Sequence, residues 1–317
     1  MHVTDLLGKD GRTAFSIEVL PPIKGQSIER LFSTLDALRE FDPSYVNITT
    51  HRSEYVYREV EGGLMQRQRI RRRPGTIAIA AAIQARYGMN VVPHVVCSGM
   101  TRDDIEYNLI DLQYLGIRDL LLLRGDKARE DSRFVPTEGG YSHAIELQRQ
   151  VNQFNAGVYA DGSPIPDKHP AFEYGVACYP EKHEEAPNMA ADLMRLKEKA
   201  DAGASYAVTQ LFFDNEKYFD FVRRAREAGI TIPIIPGIKP FAKLTQLEIV
   251  PKTFHCDIPD ALYAELSRCR TNEDVEAVGT EWTIGQCREL MAHGVPGLHF
   301  YTLSAVNVIR NVAKEIF

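Results

Sequence analysis

Hydrophobic residues fall in short runs separated by longer amphipathic stretches. The clearest run is Leu120 to Leu123, four leucines in succession. It is too short to span a membrane and too continuous for a half-exposed strand. It predicts a strand buried on both faces, as in a parallel sheet covered by helices. Phe15, Ile17 and Val19 alternate with Ser16 and Glu18, the two-residue period of a strand over 13–19. Similar runs predict strands at 45–49, 90–96, 173–179, 206–213, 232–238 and 297–301, eight in all.

Helical patterns lie between them. Ser27 caps a helix to about 41 that places Leu31, Leu35 and Leu38 on one face. An alanine-rich helix covers 76–87. Thr101 opens another, its first turn carrying Asp103 and Asp104 toward the positive end of the helix dipole. Further helices are predicted at 141–154, 188–202, from 215 to Gly229, and 304–317. Residues 243–292 read as helical, broken near Pro251 and Pro259. The connections are too long for hairpins, so the strands should be parallel. Eightfold alternation predicts an α/β fold, a closed (β/α)8 TIM barrel with loop insertions. The insertions are 52–73, polar and basic through Arg67, Arg69, Arg71, Arg72 and Arg73, and 155–170, rich in Gly, Pro and Asp. No GxGxxG follows a strand and no GxxxxGK[ST] loop is present, which removes the usual dinucleotide and P-loop signatures.

Composition changes this picture little. The 317 residues exceed the roughly 250 of a typical barrel, so one barrel domain over 1–317 with insertions is expected, two smaller domains being the other partition. The chain ends soon after the eighth strand, so no appended regulatory domain is expected. A net charge of −6 argues against a nucleic-acid binder. Cys97, Cys178, Cys256, Cys269 and Cys287 are scattered without a CxxC pair, which predicts reduced thiols and a cytoplasmic protein. No apolar run is long enough for a membrane span, and the N-terminus lacks a leader's apolar core.

Polar residues at or just past strand ends are the candidate chemistry: Glu18, Thr49, His94, Asp126, Tyr179 with His183, and Gln210. In a closed barrel the carboxyl ends of the strands carry the active site. Glu18 reads as a general acid with a pKa raised by desolvation, or as a structural carboxylate paired with a base. Arg124-Gly125-Asp126 closes the leucine strand; Asp126 reads as a standing negative charge or as a helix cap. His94 and Cys97 have HxxC spacing, but without a second cluster a packed histidine is the better reading, and no metal is assigned. The arginine run reads as a solvated face or as a binder of phosphate or carboxylate.

Several stretches in order resemble the flavin-dependent methylenetetrahydrofolate reductases of the bacterial type. They are Phe15-Ser-Ile-Glu-Val-Leu-Pro-Pro22, Pro93-His94, Leu123-Arg-Gly-Asp126, Ala177-Cys-Tyr-Pro-Glu-Lys-His183, Lys199-Ala-Asp-Ala-Gly-Ala204, Thr209-Gln-Leu-Phe-Phe-Asp214, Ile235-Pro-Gly-Ile238 and His299-Phe-Tyr-Thr-Leu303. The resemblance implies a barrel enzyme that uses FAD and NADH or NADPH to reduce 5,10-methylenetetrahydrofolate to 5-methyltetrahydrofolate, the methyl source for methionine synthesis. It implies ping-pong kinetics, the nicotinamide passing its hydride to the flavin and leaving, oxidised, before the folate enters. By position, Glu18 and Asp126 match catalytic residues. Thr49, His94, Arg124, Gly125, Asp126, Tyr179, His183, Asp192 and Lys199 match flavin contacts, with Tyr141 near the adenosine end. Gln210 and Gln246 match substrate contacts, Gln246 on a loose alignment. Homo-oligomerisation is expected by analogy.

The departures are specific. Ser304-Ala305 stand where many members have Asn-Arg serving the folate glutamate tail, and the arginine run at 67–73 is a candidate replacement. Glu198 stands where a basic flavin contact is common and is not assigned. Two other readings stay open. Another flavin barrel, proline-dehydrogenase-like, would load flavin yet ignore folate. A non-catalytic folate-binding barrel would lack flavin.

Overall fold

The computed structural model describes residues 1–128, 131–303 and 305–317, with the backbone alone for Tyr55 and Arg69. Ser304, the first of the two residues at the departure from the family pattern, lies outside the described residues.

The elements run α1 (Val3–Leu6), β1 (Ala14–Val19), α2 (Glu29–Leu38), β2 (Tyr45–Ile48), β3 (Glu54–Val60), β4 (Leu64–Ile70), α3 (Thr76–Tyr87) and β5 (Val91–Val96). They continue with α4 (Arg102–Tyr114), β6 (Asp119–Leu123), α5 (Ala144–Asn155), β7 (Glu173–Cys178), α6 (Met189–Asp201), β8 (Tyr206–Leu211) and α7 (Asn215–Glu227). The last are β9 (Ile234–Ile238), α8 (Gln246–Phe254), α9 (Asp260–Leu266), α10 (Asn272–Ala292), β10 (Gly297–Tyr301) and α11 (Val306–Ile316). Eight strands close into a barrel in the order β1-β10-β9-β8-β7-β6-β5-β2, as the alternation predicts. The pairings β1–β10, β10–β9, β5–β6, β7–β8 and β8–β9 are parallel. Leu120 and Leu122 are fully buried; burying each contributes about 2 kcal/mol. Among the described residues no helix is long and apolar enough to cross a membrane.

The chain divides into two compact units. One comprises Met1–Val19, Ser33–Asn47 and Glu173–Phe317; the other comprises Leu20–Phe32 and Ile48–Phe172. In the first, a core of Leu211, Phe213, Phe241, Val250, Leu262, Leu266 and Val275 joins β8 to α8, α9 and α10. Trp282 donates from Nε1 to Phe213 O at 3.1 Å, tying α10 to the end of β8.

The structure corrects the sequence reading in two places. Residues 52–73 are not an irregular loop. They form an antiparallel hairpin, β3–β4, with pairs from Glu54↔Ile70 to Val60↔Leu64. Gly62 and Gly63 turn it with φ of 88° and 72°, conformations that suit glycine. The hairpin forms its own two-stranded sheet. Its described side chains are largely exposed, apolar ones such as Tyr57, Leu64 and Met65 included, so it lacks the alternating burial that betrays a strand. Pro251 does not break its helix: α8 runs through it and ends at His255, φ 53°. Pro259 does mark a boundary, as the cap of α9. The 155–170 insertion is exposed as expected, with one bridge between Val158 and Pro164.

Candidate active site

In the first unit the site is built by strand register. β1 and β10 pair Ser16 with His299 and Glu18 with Tyr301. Ser16 Oγ lies 2.9 Å from His299 Nδ1 and 3.3 Å from Leu298 O. With the hydroxyl proton on Leu298 O, Ser16 accepts from Nδ1–H, and Nε2 is left basic. His299 is fully buried, and its Nε2 faces Glu18 Oε2 at 3.8 Å. Tyr45 stacks on the imidazole at 6.3 Å between centroids and Tyr301 meets it edge-on at 5.3 Å. Thr302 donates its N–H and its hydroxyl to Glu18 O at 3.2 and 2.6 Å, fixing the end of β1. The Glu18 side chain keeps 13% exposure, so the carboxyl is held by the barrel yet open to a ligand.

Two neighbouring strands complete this cluster. The β8–β9 register shifts between Val208 and Leu211. There Gly237 N–H bonds to Thr209 Oγ1 at 2.8 Å, and Tyr301 OH donates to Thr209 O at 2.6 Å. A Cβ on Gly237 would lie 2.3 Å from Thr209 O and 2.7 Å from Tyr301 Oη. Only glycine permits that crossing. Burial pushes the Tyr301 phenol well above its ordinary pKa, and the Glu18 charge adds to this. Lys239, just past β9, is buried and donates to Leu303 O at 2.9 Å. Burial lowers its pKa to about 8, and the negative charge of Glu18 opposes the shift. Asn47 on β2 is fully buried, and neither atom of its amide has a partner among the described residues.

The same unit holds Tyr179, His183, Asp192 and Lys199. Tyr179 and His183 meet edge to face at 4.7 Å. Asp192, in the first turn of α6, accepts the His183 N–H at 2.9 Å, and His183 Nδ1 accepts from Glu185 N at 3.1 Å. Lys199 donates to Ala177 O at 2.7 Å, and burial lowers its pKa against the opposing charge of Asp192. Gln210 accepts from Leu211 N at 2.9 Å. Gln246 Oε1 accepts from the N–H groups of Ala242 and Lys243 at 2.7 and 2.9 Å. Its carbonyl caps the turn before α8.

The second unit offers backbone rather than acid–base groups. Ser98 N donates to Arg124 O at 2.9 Å, and Ser98 Oγ to Asp126 O at 2.7 Å. Between them Gly125 has φ 80°, and a Cβ there would lie 2.7 Å from Ser98 Cβ. The Arg124 guanidinium covers the Phe134 ring at 4.7 Å, while Asp126 is exposed. His94 is buried on β5, and its carbonyl accepts from Thr50 Oγ1. Thr49 Oγ1 lies 3.2 Å from His51 Nε2. Tyr141 is half-buried under Arg102, its ring 5.1 Å from the guanidinium. Arg52 Nη1 is buried without a partner among the described residues. A bare glycine backbone and a guanidinium nitrogen in want of an acceptor fit a flat cofactor carrying phosphate, such as FAD.

The structure places Glu18 against His299 and sets the Arg124–Asp126 turn on Ser98, while His299, Lys239, Tyr301, Asn47 and Arg52 were not singled out from the sequence. His299 and Tyr301 were legible as polar groups in an otherwise apolar strand. Lys239 and Asn47 gave no signal short of their burial.

The comparisons with known proteins agree on one family. The family model described as methylenetetrahydrofolate reductase matches residues 3–316. "Methylenetetrahydrofolate reductase (NADH) 1" of Arabidopsis thaliana is 31% identical over 318 residues, covering 96% of this chain and 49% of that protein. The chain thus spans about half the length of the plant relatives it matches. "5,10-methylenetetrahydrofolate reductase" of Pectobacterium carotovorum is 30% identical over 295 residues, covering 93% of this chain and 87% of that protein. A solved structure from Clostridium thermocellum, an uncharacterized protein that binds two copies of 5-methyl-5,6,7,8-tetrahydrofolic acid, shares the fold with a TM-score of 0.56 at 13% identity, covering 96% of this chain and 95% of that one. On the family model and the bacterial relatives, the chain belongs to the methylenetetrahydrofolate reductase family.

Proposed function

We propose that this protein reduces 5,10-methylenetetrahydrofolate to 5-methyltetrahydrofolate, with FAD bound and NADH or NADPH as reductant, in a ping-pong sequence. The observation that carries the reading is Glu18, whose carboxyl stands at a barrel strand's end with buried His299 and Ser16 behind it. Protonated, Glu18 is the acid that opens the folate's imidazolidine ring by protonating nitrogen as the C–N bond breaks. His299 Nε2 faces the carboxyl and is the group through which the proton is replaced. Lys239 sets the local charge and holds the strand-end backbone through Leu303 O.

FAD, when bound, supplies a two-electron carrier that takes hydride from the nicotinamide and returns it to the folate. We assign flavin contacts to Thr49, His94, Arg124, Gly125, Asp126 and Tyr141, and to Tyr179, His183, Asp192 and Lys199. Gln210 and Gln246 hold substrate, and Asp126 keeps negative charge near the reacting ring. Cytoplasmic location, self-association and a single barrel as the catalytic domain complete the reading. Relatives are named for either nicotinamide, NADH in plants and NADPH in Caenorhabditis elegans.

The test is an anaerobic spectrum of the purified protein, with each nicotinamide added first and methylenetetrahydrofolate second. A flavin band bleached by the nicotinamide and restored by the folate establishes both half-reactions. A band that bleaches and stays bleached overturns the folate assignment. No flavin after reconstitution with FAD overturns the flavin assignment.

A further inference from the structure

The loop after β7 contains a carboxyl that the proposed reaction does not use. Glu181 lies two residues past Tyr179, with a side chain only 11% exposed. Its Oε2 accepts the Asp257 N–H at 3.0 Å, from the connection between α8 and α9. Its Oε1 is buried without a hydrogen-bond partner among the described residues. Glu181 lines a narrow crevice together with Tyr179, Gln210, Phe254, His255 and Cys256. Two of these, Tyr179 and Gln210, are residues assigned above to flavin and substrate.

The charged groups around Glu181 do not suit a carboxylate. Lys217, from α7, is the facing cation, at 3.9 Å; it sits nearer Asp257, at 3.1 Å. Asp257 adds a second negative charge from the α8–α9 connection, and Asp214 also draws on Lys217. Lys182, His255 and the buried thiol of Cys256 also line the crevice, the thiol itself pushed up to about 12 by burial and then by Glu181. A buried carboxylate with one unsatisfied oxygen is costly, and a neutral acid costs much less. A second tie spans the same two segments: His255 Nε2 lies 2.7 Å from Glu184 Oε2. It is an ion pair only when the imidazole is protonated.

We propose that Glu181 is a positioning residue whose neutral carboxyl stays buried under the α8–α9 connection and so lets the β7–α6 loop close the crevice at Tyr179 and Gln210, and whose ionisation, by drawing the carboxylate toward water, loosens that closure. The direction of its titration agrees. Burial, against the Asp257 N–H, raises the Glu181 pKa to about 7 from an ordinary 4.5. The closed form thus takes up a proton that the loosened form, with its carboxyl in water, does not hold. Closure is strongest below the ordinary value and weakens as pH rises toward 7. That the closure bears on ligand binding rests on the roles proposed for Tyr179 and Gln210; the closure itself does not.

Hydrogen exchange on the protein as purified tests it without turnover. Protection of residues 179–186 and 254–258, corrected for intrinsic exchange, should fall roughly 20-fold between pH 5.5 and 7.5. Glu181→Gln should keep the protection of low pH at both values. Lys217→Met, which removes the facing cation, should shift the fall to higher pH, and serves if Glu181→Gln fails to fold. A flat profile in the parent protein, a pH dependence that survives in Glu181→Gln, or a downward shift in Lys217→Met would each overturn the proposal. Because neither nicotinamide nor folate is added and no turnover is read, a flat profile removes the latch and leaves the reductase reading standing.

Discussion

The β1–β10 cluster and the Arg124–Asp126 turn are both built at strand ends, yet they work through different parts of the chain. At β1–β10, parallel register sets side chains against each other, and burial gives them unusual acid–base character. At the β6 end the side chains matter less than the backbone, stripped by Gly125 and fixed by Ser98. The first arrangement can move a proton; the second can hold a flat ligand. Substitutions should therefore separate chemistry from loading.

The largest effect should sharpen that contrast. Glu18→Gln should slow folate reduction by about 10²- to 10⁴-fold while leaving reduction by the nicotinamide within a few-fold, the usual size of a lost general acid. Stopped-flow measurement of the two half-reactions checks it; equal loss in both would break the distinction. Gly125→Ala should act the other way, lowering stability by about 2 kcal/mol through the positive φ and the Ser98 contact, with reduced flavin content. Adding Ser98→Gly should recover part of the thermal midpoint, since it removes the steric conflict but not the strain.

A pH measurement comes next. Lys239 has a folded pKa of about 8 against an ordinary 10.5. The folded state then binds fewer protons than the unfolded one across that window, so stability rises with pH from about 8 to 10.5. Between pH 8 and 9 the rise should be about 1 kcal/mol in urea unfolding, and Lys239→Met should lack it. An identical slope in the variant would show that burial does not depress this lysine's pKa. The smallest effect belongs to the hairpin. Arg72 pairs with Glu54, Arg73 Nη1 donates to Pro21 O, and Arg71 is exposed. Replacing all three with Gln should raise the folate KM about fivefold, roughly 1 kcal/mol for an exposed charge contact, while nicotinamide oxidation by a quinone is spared. An unchanged KM would return the run to a solvated face.

Much of this was legible before any coordinates. Alternation at Phe15, Ile17 and Val19 and the apolar run at Leu120 encode buried strands directly, because period and continuity are physical consequences of the sheet. Glu18 stood out because a carboxylate within an apolar strand needs a reason. The hairpin escaped because both of its faces are wet, so no burial pattern was written into it. Gly62-Gly63 was the one available sign. Pro251 misled because its helix tolerates a missing N–H inside a packed layer. Lys239 and His299 escaped for another reason: their importance comes from neighbours hundreds of residues away in sequence, which no local pattern carries.

The cysteines have a practical consequence for reagents. Cys97, Cys178, Cys256 and Cys287 are buried, and Cys269 alone is partly exposed, in the connection between α9 and α10. Burial raises the pKa of all four buried thiols, to about 12 for Cys97 and Cys256, and the Cys269 thiol is raised as well, so access sets it apart. A maleimide applied to the native protein should therefore find one address, and a fluorophore placed there would report on the α8–α10 side of the molecule without removing a single native cysteine.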